Sequence, residues 1–202
     1  MLTSKRALAL GTHLAWLIEE VERVRAQVAC ELVLMSYLNP LLAFGLERAC
    51  AALAASGFAG LIVPDLPLEE SAELHMHADA QGLALVQLVT PLTPSARAAE
   101  LARASRGFLY AVTRAGTTGA AAAPEAVARY LRELTALSAL PVCAGFGLRT
   151  PEQLRALAGA CDGFVVGTAL VECLEAGRDP LALLDSLRSA TALPPLPSKT
   201  PQ

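Results

Sequence analysis

The segment Leu61-Ile62-Val63-Pro64-Asp65-Leu66-Pro67-Leu68-Glu69-Glu70-Ser71 constrains this chain more than any other. An apolar run too short for a core helix stops at an Asp, turns at a Pro and opens an acidic helix start. That is the signature of a buried parallel strand whose end carries a polar residue to a surface mouth. The pattern repeats along the chain, and two later copies, Cys143-Ala144-Gly145 and Phe164-Val165-Val166-Gly167, end in glycine. Strands alternating with helices, joined by right-handed crossovers, give a parallel sheet.

Periodicity places the elements. Leu14, Leu17, Ile18, Val21 and Val24 fall on one helical face, with Glu19, Glu20, Glu22, Arg23 and Arg25 opposite. Strands are predicted over 31–37, 60–65, 83–89, 107–113, 141–144 and 163–166. Helices are predicted over 42–55, 67–81, 95–105, 124–137, 151–158, 169–176 and 181–190. Aromatic residues make up only 4% of the chain, so Ala, Leu and Val must build the core. The predicted organisation is one β/α domain over 1–190 and a Pro-rich, disordered tail over 191–202. About six β/α repeats are present, whereas a closed barrel of this class has eight strands and about 250 residues. An open, doubly wound sheet of about six strands is the alternative. A dinucleotide site is disfavoured, because no G-x-G-x-x-G opens the first unit.

Composition excludes several functions. With 16 basic and 19 acidic residues the net charge is −3, and a nucleic-acid partner is not expected. The five cysteines are dispersed and include no C-x-x-C, which argues against a disulfide framework or zinc site and fits a reducing cytoplasm. His75 and His77, two apart, make a poor metal pair on a helix, so no metal is expected. No apolar run approaches the ~18 residues of a membrane span. The N-terminal stretch reads as a soluble amphipathic helix rather than a signal peptide.

Chemistry concentrates at Gly145-Phe146-Gly147 and Val166-Gly167-Thr168-Ala169, about 20 residues apart on consecutive strands. Glycine at a strand end lets an oxyanion approach the backbone, and the amides opening the next helix supply donors and a favourable dipole. In β/α barrels a phosphate often lies at the loops after the last two strands. The competing reading is a pair of tight turns.

The ordered set Leu34-Met35-Ser36-Tyr37-Leu38-Asn39-Pro40, Gly60-Leu61-Ile62-Val63-Pro64-Asp65-Leu66-Pro67, Gly116-Thr117-Thr118-Gly119-Ala120 and Pro141-Val142-Cys143-Ala144-Gly145-Phe146-Gly147 resembles the α chain of tryptophan synthase. The resemblance runs from about Ser4 to about Ala176. It implies a (β/α)8 TIM-type barrel that cleaves indole-3-glycerol phosphate to indole and glyceraldehyde 3-phosphate in tryptophan biosynthesis. It implies a partner β chain, which would carry the pyridoxal phosphate, leaving this chain without a cofactor of its own.

Residue by residue, the resemblance implies that Gly119, Gly145, Gly147, Gly167 and Thr168 surround the substrate phosphate. Thr168 stands where the family usually has Ser. Met35, Ile62, Leu88, Tyr110 and Phe146 would line the indole pocket, although spacing alone reads all five as ordinary barrel core. Asn39, Pro40 and Pro67 fall where the β chain would be met; read alone they belong to strand-ending turns. Arg114, Gly116 and Thr118 match a lid loop that hinges over substrate. Ala121, Ala122 and Ala123 follow, where the family usually has a charged residue, and a flexible alanine linker is the other reading.

The retro-aldol step needs an acid–base group and a carboxylate on the indole N–H. In the family these lie in a run resembling E-x-G-x-P-F-S-D-P-x-A-D-G, which is absent from these 202 residues. The expectation is therefore a barrel without its first two strands, with no catalytic residue of its own and in doubt as an active lyase. Two other functions stay open: a non-catalytic subunit that binds and activates a β chain, and another phosphate-binding barrel.

Overall fold

A computed structural model describes residues 11–113 and 123–191. By its internal contacts the chain divides into two compact units, Met1–Gln87 and Leu88–Gln202.

The first unit opens with helix α1 (Leu14–Val24), whose His13 side chain accepts from the Trp16 amide and so caps it. A 3-10 turn (Arg25–Gln27) leads to strand β1 (Leu32–Met35). Helices α2 (Leu38–Phe44) and α3 (Leu46–Ala55), strand β2 (Phe58–Ile62), helix α4 (Ala72–Ala80) and strand β3 (Ala84–Val89) follow. β1 runs parallel to β2 with Met35 opposite Ile62, and β2 runs parallel to β3 with Ile62 opposite Val86. Leu34, Leu61 and Leu85 of the strands pack with Leu41, Leu53 and Leu74 of the helices in one apolar core. Burial of this area is the main force holding the unit together.

The second unit begins within β3. It continues through α5 (Ser95–Ala104), β4 (Leu109–Val112), α6 (Pro124–Leu137), β5 (Val142–Gly145), α7 (Pro151–Leu157), β6 (Gly163–Val165), α8 (Thr168–Glu175) and α9 (Pro180–Thr191). β4 and β5 are parallel with Val112 opposite Gly145, and β5 and β6 are parallel with Gly145 opposite Val165. Its core joins Leu109, Val142 and Ala144 to Leu131, Leu154 and Leu187.

Two predicted elements differ in shape. The single helix over 42–55 is two helices. α2 starts at Leu38, and Gly45, at φ 91°, separates it from α3 with a 93° bend. Asn39 and Pro40 lie in the first turn of α2 rather than in a turn before it. There the missing Pro N–H has no intrahelical acceptor to lose. The predicted helix over 67–81 is a 3-10 turn (Leu68–Glu70) followed by α4. The Ser71 hydroxyl donates to Leu68 O at the break. The first strand among the described residues is β1; the Pro-rich segment 192–202 lies outside them.

All five cysteines are free thiols; Cys50, Cys161 and Cys173 are buried and Cys30 is exposed. Among the described residues no single helix is long and apolar enough to cross a membrane.

Candidate phosphate site at the ends of β5 and β6

The register of β5 against β6 puts Gly145 beside Val165, so the residues just beyond each, Phe146-Gly147 and Gly167-Thr168, leave the sheet at neighbouring strand ends. Phe146 (φ 69°) and Gly147 (φ 85°) are consecutive left-handed residues, and Phe146 is the one described non-glycine residue with positive φ. For a bulky side chain this conformation costs roughly 1–2 kcal/mol, so neighbouring contacts must hold it.

Those contacts come from β4. The Thr113 amide donates to Gly145 O at 2.8 Å, extending the strand ladder by one residue. The Thr113 hydroxyl lies 2.9 Å from Gly145 O and 2.6 Å from Phe146 O, and its single proton is shared between them. The Phe146 ring meets Tyr110 edge-on, with centroids 5.4 Å apart and planes at 80°. Tyr110 in turn explains Gly145. A Cβ on Gly145 would collide with the Tyr110 hydroxyl and lie 2.6 Å from Cζ. Tyr110 is 3% exposed, and burial pushes its phenol up to about 12, with Cys143 adding to the shift.

Beyond β6, Gly167 precedes α8 with no side chain to cap its first amides. The helix begins with Leu170 N and Val171 N both donating to Gly167 O, so the preceding amides have no intrahelical acceptor. Gly167 and Thr168 are exposed. Arg149, two residues after Gly147, pairs with Glu172 of α8 at 2.8 Å and ties the two strand ends together. This pair is solvent-exposed and serves geometry more than stability. The Thr150–Gln153 capping box closes the start of α7. A cavity of about 310 Å3 opens beside the turn, lined by Thr113, Phe146, Gly147, Leu148, Val127 and Gln153 among others. Among the described residues its lining includes no carboxylate.

The remaining residues singled out from sequence fall as follows. Gly119, Arg114, Gly116 and Thr118 lie outside the described residues. Leu88 is half-buried on β3. In the first unit Ile62 is buried, Met35 is 44% exposed at the end of β1, and Asn39, Pro40 and Pro67 are exposed. Asp65, which ends the β2 segment, uses Oδ1 to accept the Leu38 amide at 2.9 Å. With this bond it caps α2. Sequence reasoning missed Thr113, because its partners are backbone carbonyls of the neighbouring strand end, which leave no mark in the sequence. Among the described residues no group of three or more His, Cys, Asp or Glu could hold a metal ion.

A family model for the tryptophan synthase alpha chain matches residues 2–191. The chain belongs to that family. It is 40% identical over 196 residues to the tryptophan synthase alpha chain of Geobacter sulfurreducens, covering 94% of this chain and 74% of the relative. It is 45% identical over 175 residues to that of Geobacter sp. strain M21, covering 86% and 66%. Among solved structures, tryptophan synthase subunit alpha from Legionella pneumophila superposes with a TM-score of 0.81 at 31% identity, over 93% of this chain and 72% of that one. The aminoacrylate- and BRD0059-bound tryptophan synthase from M. tuberculosis gives 0.82 at 31% identity, over 94% and 72%. The chain thus spans about two thirds to three quarters of the length of these tryptophan synthase alpha relatives. Likeness on this scale places its six strands in the (β/α)8 TIM-barrel type rather than a doubly wound sheet.

Proposed function

We propose that the chain contributes the phosphate-holding part of a tryptophan synthase alpha chain, the lyase that cleaves indole-3-glycerol phosphate to indole and glyceraldehyde 3-phosphate. One observation carries this reading: two amide-bearing strand ends, Phe146-Gly147 and Gly167-Thr168, lie beside each other through the Gly145–Val165 register. Backbone amides and a helix start are suited to a phosphate dianion, and the Thr168 hydroxyl adds a further donor. The Phe146 ring, 43% exposed above Tyr110, offers an aromatic face to a bicyclic substrate.

Cleavage of the bond between indole C3 and the glycerol chain needs a base for the glycerol hydroxyl proton, an acid for C3, and a carboxylate facing the indole N–H. The 202 residues hold no E-x-G-x-P-F-S-D-P run to supply them. Asp65, the acid at a strand end, is engaged in capping α2. Loss of acid–base assistance costs roughly 10²–10⁴ in rate. The reading is therefore that residues 1–202 bind the phosphate tail while the proton-handling acids lie outside them. A β chain carrying pyridoxal phosphate is the proposed partner, met through exposed Asn39, Pro40 and Pro67; this chain needs no cofactor.

The test measures two quantities on the 202-residue chain: binding of glycerol 3-phosphate by calorimetry, and indole release from indole-3-glycerol phosphate. Binding without release is expected. Robust release would refute the assignment of the acids, and absence of binding would refute the phosphate site. Retention of this chain on an immobilised tryptophan synthase β chain is expected for the proposed partner and would be absent for an unrelated phosphate-binding barrel.

A further inference from the structure

We propose that Thr113 is a positioning residue for phosphate binding, acting through the left-handed turn at Phe146-Gly147. The inference rests on the phosphate reading above and adds to it the residue that sets the shape of the site. Thr113 does not present its hydroxyl to a ligand; it spends it on two backbone carbonyls of the neighbouring strand end. The Thr113 amide contact to Gly145 O is ordinary ladder pairing that any residue but proline would make. The hydroxyl contact to Phe146 O is different, because it reaches past the end of β5 and grips the residue whose φ is +69°.

Thr113 is 7% exposed, so water competes poorly for these bonds. Its β-branched side chain is stiff about χ1, which fixes the direction of the hydroxyl. With Phe146 O held by Thr113, the peptide leading into Gly147 is held in one orientation, and so is the Gly147 amide it carries. Without the hydroxyl, the Phe146 carbonyl loses that donor and the turn is free to relax from its left-handed form. Preorganised donors bind an anion more tightly than donors that must first be ordered.

The experiment compares Thr113→Val, which keeps shape and loses the donor, with Thr113→Ser, which keeps the donor, in the full 202-residue chain. Ser105→Ala serves as the control, since it removes another buried hydroxyl, which donates to Phe108 O at the opposite end of β4. Glycerol 3-phosphate is the probe. T113V is expected to weaken binding about tenfold, T113S to restore it to within about twofold, and S105A to leave it unchanged. The Gly147 amide resonance, read by NMR, is expected to shift and broaden in T113V and to keep its wild-type position in T113S. Should T113V fail to fold, T113A replaces it in both measurements. Wild-type binding by T113V, or an unchanged Gly147 amide resonance, would overturn the positioning role. Failure of the wild-type chain itself to bind the probe would refute the phosphate reading and this inference with it, a result set apart by the wild-type arm alone.

Discussion

Gly145 illustrates how a residue's necessity can come from its neighbour rather than from a ligand. Glycine at this strand end reads, in sequence, as room for an oxyanion. In the fold it is room for Tyr110, whose hydroxyl and Cζ occupy the space of a Cβ, with Val165 Cβ 3.1 Å away on the other side. Gly145→Ala is expected to lower stability by about 1–3 kcal/mol, the usual cost of overpacking a filled core. Pairing it with Tyr110→Phe, which removes the colliding hydroxyl, should recover part of that loss. A urea double-mutant cycle measures the recovery, and strictly additive losses would contradict the collision. The reason for glycine here was not legible in the sequence. It depends on β4 lying beside β5 with Tyr110 opposite Cys143, a pairing between residues 33 apart. Thr113 was hidden for the same reason, since its partners are carbonyls, which carry no side-chain signature.

Elements with local signals were read closely. α6 runs over Pro124–Leu137, opened by a proline at its first position, as its sequence predicted. α1 begins at Leu14, the first residue of its apolar stripe. The break at Gly45 went unread because Leu-Leu-Ala-Phe-Gly-Leu keeps an apolar period through it, and only the conformation of Gly45 reveals the corner. The start of α2 was misplaced because Asn-Pro is a strong turn signal, and the cap that draws the helix back to Leu38 comes from Asp65, 27 residues away. This contact predicts that Asp65→Ala lowers stability by about 0.5–2 kcal/mol through the lost cap. Asp65→Asn, which retains an acceptor oxygen, should lose less. Thermal melts of the two variants separate the cases, and an Asp65→Ala variant as stable as the parent would mean that the cap contributes nothing.

At the scale of the whole molecule, protonation links the second unit's core to pH. Burial pushes the Cys143 and Cys161 thiols up to about 11, with the Cys161 and Asp162 charges adding for Cys143, and pushes the Tyr110 phenol up to about 12. In each case the folded protein favours the neutral form, so it keeps protons that the unfolded chain loses near pH 9 for the thiols and near pH 10 for the phenol. The sign follows: the stability these groups contribute is complete below about pH 9 and is lost as pH rises through 9–12. Melting temperature is expected to fall progressively from pH 9 to 11, and less steeply in Cys143→Ala. A flat profile over that range would exclude the assignment. The distribution of thiols has a practical outcome as well. Cys30, open to solvent, offers a ready handle for a fluorophore, while Cys50 sits sealed in the first unit and Cys161 and Cys173 in the second. Timed alkylation followed by mass spectrometry would therefore clock the breathing of each half of the chain separately, with reporters that evolution has already installed.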